Sequence, residues 1–520
     1  MKHTIIAAIV ASCAFTLTSG AAQDGFVTKD EIRALIERIG RLEAENKAQA
    51  RRIAELESRV AHDGTAQAQL PKPKEQSSEE KSAGNEAVAD AEAGRLYVAE
   101  SGRAFHLADE AKGIFEPLSD NGLVVTPYGW LVAEADYNTH STEVDTYTDY
   151  VRPKSHRTYK DPTSVFSMQN SILGIRFETP EEICGWRYSG KAEFDFAGDH
   201  ANDYAFHWRH LYFDATHDAC GFDGEKNGTW SFLFGQTWHL WKMVTPSEID
   251  GAWMENTGHP YRRSPQVRVT RKWEWEDSSL EARVGLVKNG PGMGGDRDGD
   301  GNQDNSASRW ALVEGALVYD RVASWEPVPK KDAPHRWLVG IGGMYGRDRL
   351  HSASEWGDEG EPVAYDGSAR DYDTDMVMFA ASVPFLGGVF GEESGFTLCG
   401  QIFAGENLGG VQAGVGQRVA FKPERRHGRS VRTVGGFADL NYKHDNKWSF
   451  ALGYGFDNPN DSDARYADGI CYNDRAYIDA FYRVNANLHF GVEYAYLTTK
   501  YDVDGRSNDN RIQLTAFYDF

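Results

Sequence analysis

The chain has no long apolar run outside its first residues. After residue 22 no segment offers the roughly 18 consecutive apolar residues that a membrane-spanning helix needs. The mean hydropathy is −0.57, which agrees with a largely polar chain. These two properties exclude the helical membrane proteins.

The chain also has few cysteines and no net positive charge. The 520 residues contain 5 cysteines, and four of these remain after the leader, too few for a disulfide framework. Cys184 and Cys220 lie in turns two predicted strands apart, where they could form a disulfide or remain separate small residues. The formal net charge of −23 argues against a nucleic-acid partner.

The first residues have the order of a secretory signal peptide. A basic residue, Lys2, precedes an apolar stretch over residues 5–17 and a small-residue site that ends at Ala22. We therefore predict a signal peptide over residues 1–22 and an exported protein. Residues 10–13 could alternatively be a lipoprotein cleavage box, although that choice leaves a very short signal.

Residues 28–63 are predicted to form a coiled coil. Thr28 and Glu31 make a capping box, and Gly64 follows the last turn. The seam positions alternate by three and four over about four and a half heptads: Ile32, Leu35, Ile39, Leu42, Asn46, Gln49, Ile53, Leu56 and Val60. The spacing favours an oligomer of undetermined number over a lone surface helix.

Residues 64–120 are predicted to be a flexible linker, and residues 121–520 a β-barrel. The linker begins with Pro, Lys, Glu, Ser and Ala and without aromatic residues. The remainder alternates apolar and polar residues, as in "WSFALGYGFD", with short and long connections taking turns. About sixteen such segments occur, which predicts an all-β transmembrane antiparallel barrel of about 16 strands after the α-helical coiled coil. A soluble sandwich would have to expose rows of Trp and Tyr.

The even number of strands places both barrel ends on the side of the short turns, which is the periplasmic side. The final residues "RIQLTAFYDF" then form the closing strand, with Phe520 facing lipid. A barrel of this size encloses an aqueous lumen. The aromatic-rich connection over residues 235–270 carries three Trp residues that would be unusual in an external loop. We therefore expect it to fold inward and narrow the lumen.

Five segments occur in an order that resembles one family. "RFETPEE", "GKAEFDFAGD", "FGQTWHLW", "SEIDG" and "RRSPQVRVT" are similar to the DcaP-like trimeric outer-membrane porins, which are dicarboxylic-acid-type porins with an N-terminal coiled coil. The resemblance implies a homotrimer that takes up small anions, with lumenal arginines matching Arg268, Arg263 and Arg209. Together with neighbouring residues this gives the predicted constriction set: Arg268, Arg263, Arg262, Arg209, Trp238 and Lys191. Long acidic loops and four mature cysteines depart from the family.

The segment "DRDGDGNQDN" has the spacing of a calcium-binding loop. Its acidic positions are Asp296, Asp298, Asp300 and Asp304. Ala307 stands at the twelfth position, where such loops carry a bidentate glutamate. The segment is either a weak extracellular calcium site or a solvated acidic loop, and no other cofactor is expected.

These patterns predict an outer-membrane porin for small, carboxylate-type anions, with outer-membrane lipid as its surroundings. The alternative is a structural protein that tethers the membrane to peptidoglycan through the coiled coil and linker. We expect no enzymatic activity, since the polar strand faces show no evident catalytic arrangement.

Overall fold

The computed structural model shows a closed antiparallel β-barrel of 16 strands. It describes residues 118–120, 123–144, 146–179, 182–198, 205–220, 226–288, 311–323, 336–356, 362–391, 394–420 and 428–520. The predicted signal peptide, the coiled coil, most of the linker and the acidic loop lie outside these residues. Within them, no helix combines the length and the apolar character needed to cross a membrane.

Twenty strands make up the described β-structure. They are β1 (Leu118–Asp120), β2 (Leu123–Asn138), β3 (Thr163–Ser167), β4 (Ile172–Glu178), β5 (Trp186–Asp195), β6 (His207–Cys220), β7 (Lys226–Trp238), β8 (Arg263–Glu274), β9 (Ser278–Val287), β10 (Leu312–Val322), β11 (Arg336–Trp356), β12 (Pro362–Phe385), β13 (Gly395–Glu406), β14 (Val419–Ala420), β15 (Arg429–Ser430), β16 (Arg432–Lys443), β17 (Trp448–Pro459), β18 (Ile470–Arg483), β19 (Leu488–Tyr501) and β20 (Gly505–Asp519). One short helix, α1, spans Asp461–Ala464.

These strands form a barrel wall of 16 strands, as the sequence predicts. β3 and β4 both pair with β2 and count as one interrupted strand. Ser171 occupies the interruption, where its Oγ accepts a hydrogen bond from the backbone nitrogen of Val132 at 3.0 Å. β1 only extends β2 as a short hairpin, and it lies inside the predicted linker. β14 and β15 form a separate two-stranded ribbon.

Pairing of β2 with β20 closes the barrel, from Trp130 opposite Asp519 to Asn138 opposite Arg511. The last residue, Phe520, continues this pairing beyond the end of β20. Its backbone nitrogen donates to the carbonyl of Gly129 at 3.0 Å, and its carbonyl accepts from the Gly129 nitrogen at 3.2 Å. The closing role predicted for the C-terminus is therefore confirmed.

Alternating residues separate an apolar outer face from a polar inner face. On β20 the side chains of Ile512 and Leu514 are 48% and 55% exposed, whereas Arg511 and Gln513 are buried. Exposed aromatic and aliphatic side chains recur at alternate positions on the other strands. This period of two is the pattern that lipid on one side and protein on the other impose on a strand.

The main apolar core lies inside the barrel, between the wall and segments that fold inward. It includes Leu240, Trp241 and Met243 from the connection between β7 and β8. Gly342 of β11 allows this approach, because a Cβ there would lie 2.9 Å from the Cβ of Trp241. Inward-folded loops, rather than strand side chains alone, therefore fill much of the interior.

Candidate functional site

Residues 239–262 connect β7 to β8 and fold into the barrel; we call this segment the constriction loop. The predicted range of 235–270 was longer, and its two ends belong to strands. Residues 239–250 are all buried. The carboxylate of Glu314 on β10 holds the beginning of the loop. It accepts hydrogen bonds from the backbone nitrogen of Leu240 at 3.0 Å and from Nε1 of Trp241 at 3.2 Å.

The constriction loop then crosses to the opposite wall. The backbone nitrogen of Ser247 donates to Asp439 of β16, and that of Ile249 donates to Glu493 of β19, each at 2.7 Å. These backbone groups cannot bond within a strand, so carboxylates of the wall satisfy them instead.

Two arginines of the wall form ion pairs with the middle of the constriction loop. Arg475 of β18 pairs with Glu248 and, at 2.8 Å, with Asp250. Arg511 of β20 pairs with Asp250 at 3.5 Å and with Asp136 of β2 at 3.2 Å. All five side chains are fully or almost fully buried. Both arginines face the interior, where they anchor the loop.

Three cations surround two tryptophans on the other side of the barrel; we call this group the basic cluster. Arg263 and Lys242 lie over the ring of Trp238, with their charged groups 4.4 and 4.6 Å from its centroid. Arg209 and Lys242 lie 5.8 and 5.9 Å from the ring centroid of Trp253. The predicted residues Trp238, Arg209 and Arg263 are thus brought together, and the sequence analysis missed Lys242 and Trp253 as their partners.

Carboxylates of β5 balance part of this charge. Arg209 donates to Glu193 at 2.7 Å and to Asp195 at 2.8 Å. Lys191, another predicted residue, lies 3.0 Å from Glu193, which also accepts from the hydroxyl of Tyr128 at 2.7 Å. Lys191 is therefore joined to the basic cluster through Glu193.

A β-bulge directs Arg209 into this cluster. The register between β5 and β6 shifts where Glu193 opposes His210 and Phe194 opposes Trp208, which leaves Arg209 unopposed. Arg209 and His210 are both buried while Trp208 is 52% exposed. A bulge of this kind re-aims one side chain and interrupts the alternation. Sequence alternation alone could not place these consecutive residues on the same side.

Arg263 and Arg268 lack full compensation. Nη1 of Arg263 and Nε of Arg268 have no hydrogen-bond partner among the described residues. The two arginines lie five residues apart on β8, or about 16 Å at the rise of a strand. Arg268 shares its surroundings with Arg283, Glu281 and Asp214 rather than with the basic cluster. Arg262 ends the constriction loop, and its carbonyl accepts from the backbone nitrogen of His239 at 3.0 Å.

Partial exposure indicates where open space remains in the lumen. On the inner face of β8 and β9, Arg268, Glu281 and Arg283 are half-buried. On the opposite wall the inner side chains Arg475 and Arg511 are completely covered. The inner face of β8 and β9 is therefore less completely covered than that of β18 and β20.

Two further connections fold inward, which the sequence analysis did not predict. They are residues 139–144 and 146–162, after β2, which we call the first loop, and residues 407–420 and 428–431, after β13, which we call the third loop. Val151 of the first loop and Leu408 of the third loop are both fully buried in the main apolar core. Small residues in the segment "NLGGVQAGVGQ" of the third loop were the available signal.

Buried carboxylates occur where the first loop meets the constriction loop. Burial, with a smaller contribution from the neighbouring Asp149, raises the pKa of Glu255 to about 8. Burial likewise raises the pKa of Asp149 to about 7, opposed by a hydrogen bond from Asn256. The first loop and the constriction loop thus meet at two carboxyl groups whose pKa values are raised by burial.

The remaining predicted sites stand as follows. Asp296, Asp298, Asp300 and Asp304 lie outside the described residues, so the calcium site stays a prediction. Among the described residues no group of three or more His, Cys, Asp or Glu side chains could hold a metal ion. Cys184 and Cys220 are both exposed and free.

Comparison with known proteins gives a likeness in structure alone. No family model matches the chain, and no curated protein matches its sequence. The outer membrane channel DcaP of Acinetobacter baumannii superposes with a TM-score of 0.56 at 18% identity, covering 78% of this chain and 100% of that chain. The chain has the fold of an outer-membrane porin. An anion-selective porin from Comamonas acidovorans gives a TM-score of 0.45 at 13% identity, over 76% of this chain and all of that one.

Proposed function

We propose that this protein is an outer-membrane porin that admits small anions, carboxylates by preference, to the periplasm. The observation that carries the proposal is that Arg263 and Arg268 of β8 are half-buried and form no ion pair with a carboxylate of the described residues, whereas Arg475 is buried in such pairs. An arginine without a hydrogen-bonded carboxylate can offer its forked donors to a passing carboxylate. The porin fold provides the passage, and the name of the similar DcaP channel describes the same class of protein.

The net charge of −23 by itself favours cations over anions. Exposed charges farther than about 8 to 10 Å from the ion path are largely screened at physiological salt. Charges that line a narrow passage are screened much less, so the arginines beside the passage outweigh the acidic exterior. The side of the lumen that stays open therefore favours anions.

Reversal potential in a salt gradient tests this proposal. The purified protein in a planar lipid bilayer is expected to give discrete conductance steps and a reversal potential on the anion side. Adding succinate to one side should reduce the chloride current, because the dicarboxylate competes for the same arginines. A potential on the cation side would contradict the proposal.

We further propose that the protein is a homotrimer in the outer membrane, with its N-terminal region in the periplasm. The predicted coiled-coil seam supports this proposal, because it favours an oligomer. Cross-linking of the intact protein in outer-membrane vesicles would give a ladder that ends at three chains.

A further inference from the structure

Asn256 lies where the three inward loops and the barrel wall meet. It is 2% exposed, in the second half of the constriction loop. Its backbone has a φ of +53°, the left-handed region that asparagine tolerates better than most residues. Trp253 and Met254 also have positive φ values, of +47° and +57°. Contacts around the turn must hold this unusual conformation in place.

The side chain of Asn256 joins the other two loops. Its Nδ2 donates to Oδ1 of Asp149 in the first loop at 2.5 Å. Its Oδ1 accepts from the backbone nitrogen of Gly416 in the third loop at 3.0 Å. One amide group therefore supplies a donor to one loop and an acceptor to the other.

The backbone of Asn256 repeats this connection. Its nitrogen donates to the carbonyl of Gln412 in the third loop at 3.3 Å. Its carbonyl accepts from Nδ2 of Asn473 on β18 at 2.9 Å, and the same Nδ2 donates to the Asp149 carbonyl at 3.0 Å. The first loop, the third loop and the wall are thus bonded to one residue of the constriction loop.

We propose that Asn256 is the positioning residue that sets the width of the passage, an inference that rests on the proposed porin function. The turn it holds carries Trp253, a half-exposed member of the basic cluster. The constriction loop is fixed to the wall at Glu314 and Arg475, and the hydrogen bonds of Asn256 hold its returning half against the first and third loops. Loss of these bonds lets the turn that carries Trp253 move away from the basic cluster.

Three variants test the side-chain hydrogen bonds of Asn256 separately from its backbone conformation. Asn256→Gly keeps the positive φ and removes only the two side-chain hydrogen bonds. Asn256→Asp places a second carboxylate against Asp149 and removes the donor. Combining Asn256→Asp with Asp149→Asn exchanges the two groups, so that an amide donor and a carboxylate acceptor face each other again. Lys154→Ala, at an exposed position in the first loop, is the matched control.

The full-length protein and these variants are compared by single-channel conductance and by the swelling of proteoliposomes in sugars of increasing size. We expect Asn256→Gly and Asn256→Asp to raise the conductance and to admit a trisaccharide that the wild type excludes. The exchanged pair should return both readouts toward wild-type values, and Lys154→Ala should leave them unchanged. The midpoint temperature of thermal unfolding should stay close to the wild-type value, because the strand pairing of the wall is intact.

The outcomes are distinguishable. A wild-type protein without conductance would overturn the porin function itself. A conducting wild type with an unchanged size limit in Asn256→Gly and Asn256→Asp would overturn only the role of Asn256. Where Asn256→Gly does not fold, the comparison of Asn256→Asp with the exchanged pair decides, and failure of the exchange to restore the limit counts against the proposal.

Discussion

Arginines of the same polar faces have two different roles in this barrel. Arg475 and Arg511 are covered and form ion pairs with carboxylates, whereas Arg263 and Arg268 are half-buried and form no ion pair among the described residues. Alternation along each strand places Arg268, Arg475 and Arg511 on the inner faces, so the inward location of these three could be predicted from the sequence. Arg263 is the first residue of β8, five positions before Arg268, and alternation alone does not place it inward. Their pairing depends on neighbours that are far away in the chain, so the sequence could not sort anchors from candidate binding groups.

At this scale we predict the effect of removing both unpaired arginines. A cation about 4 Å from a passing anion contributes about 1 kcal/mol even at the dielectric of water. Arg263→Ala with Arg268→Ala should therefore lower the anion-to-cation permeability ratio by about fivefold for each arginine. Reversal potentials in a salt gradient measure this ratio.

The matched control is Arg347→Ala, on the outer face, where Arg347 is exposed and pairs with Asp373 at 2.8 Å. This variant should keep the wild-type ratio. An equal fall in the control and the double variant would assign selectivity to the overall charge and not to the passage.

At the scale of elements, strands were predicted far better than loops. A strand repeats its signal every second residue, and both lipid and the interior enforce it, so the number of strands in the wall could be predicted from the sequence. The inward path of the constriction loop could be predicted, because its tryptophans would be exposed to water in an external loop. The first and third loops carry no such signal, because their burial depends on hydrogen bonds to residues such as Asn473 and Asp457.

Anchoring of the constriction loop gives the prediction for this scale. Arg475→Ala leaves Glu248 buried without its ion-pair partner and leaves Asp250 with Arg511 alone. Breaking a buried pair in this way costs about 3–5 kcal/mol. The loop should detach from the wall and become sensitive to protease. The midpoint of urea unfolding of the variant in lipid vesicles should be lower than that of the wild type.

Arg465→Ala is the comparison, since Arg465 makes a similar pair with Asp502 at 2.9 Å but is 56% exposed. Exposed pairs contribute about 0–1 kcal/mol, so this variant should behave nearly as the wild type does. Unchanged protease resistance in Arg475→Ala would show that backbone bonds to Asp439 and Glu493 hold the loop without the arginine.

At the scale of the whole molecule, the barrel and the N-terminal region are expected to act as separable modules. Deletion of residues 28–62 removes the predicted seam and no strand of the wall. We expect the truncated protein to insert and conduct, while its oligomer dissociates at a lower temperature on unheated denaturing gels. Deletion of linker residues 65–95 should leave the oligomer unaffected. Failure of the first truncation to insert would contradict the modular organisation.

The bonds between Gly129 and Phe520 also govern the order of assembly. They join the first and last strands of the wall across almost the whole described chain, so they cannot form before β20 has been synthesised. Closure over so long a separation is entropically costly and slow. Until it happens, β2 and β20 both present unpaired edges that invite pairing with other chains. We therefore expect the chain to be most prone to aggregation in the interval between the synthesis of β20 and the closure of the barrel.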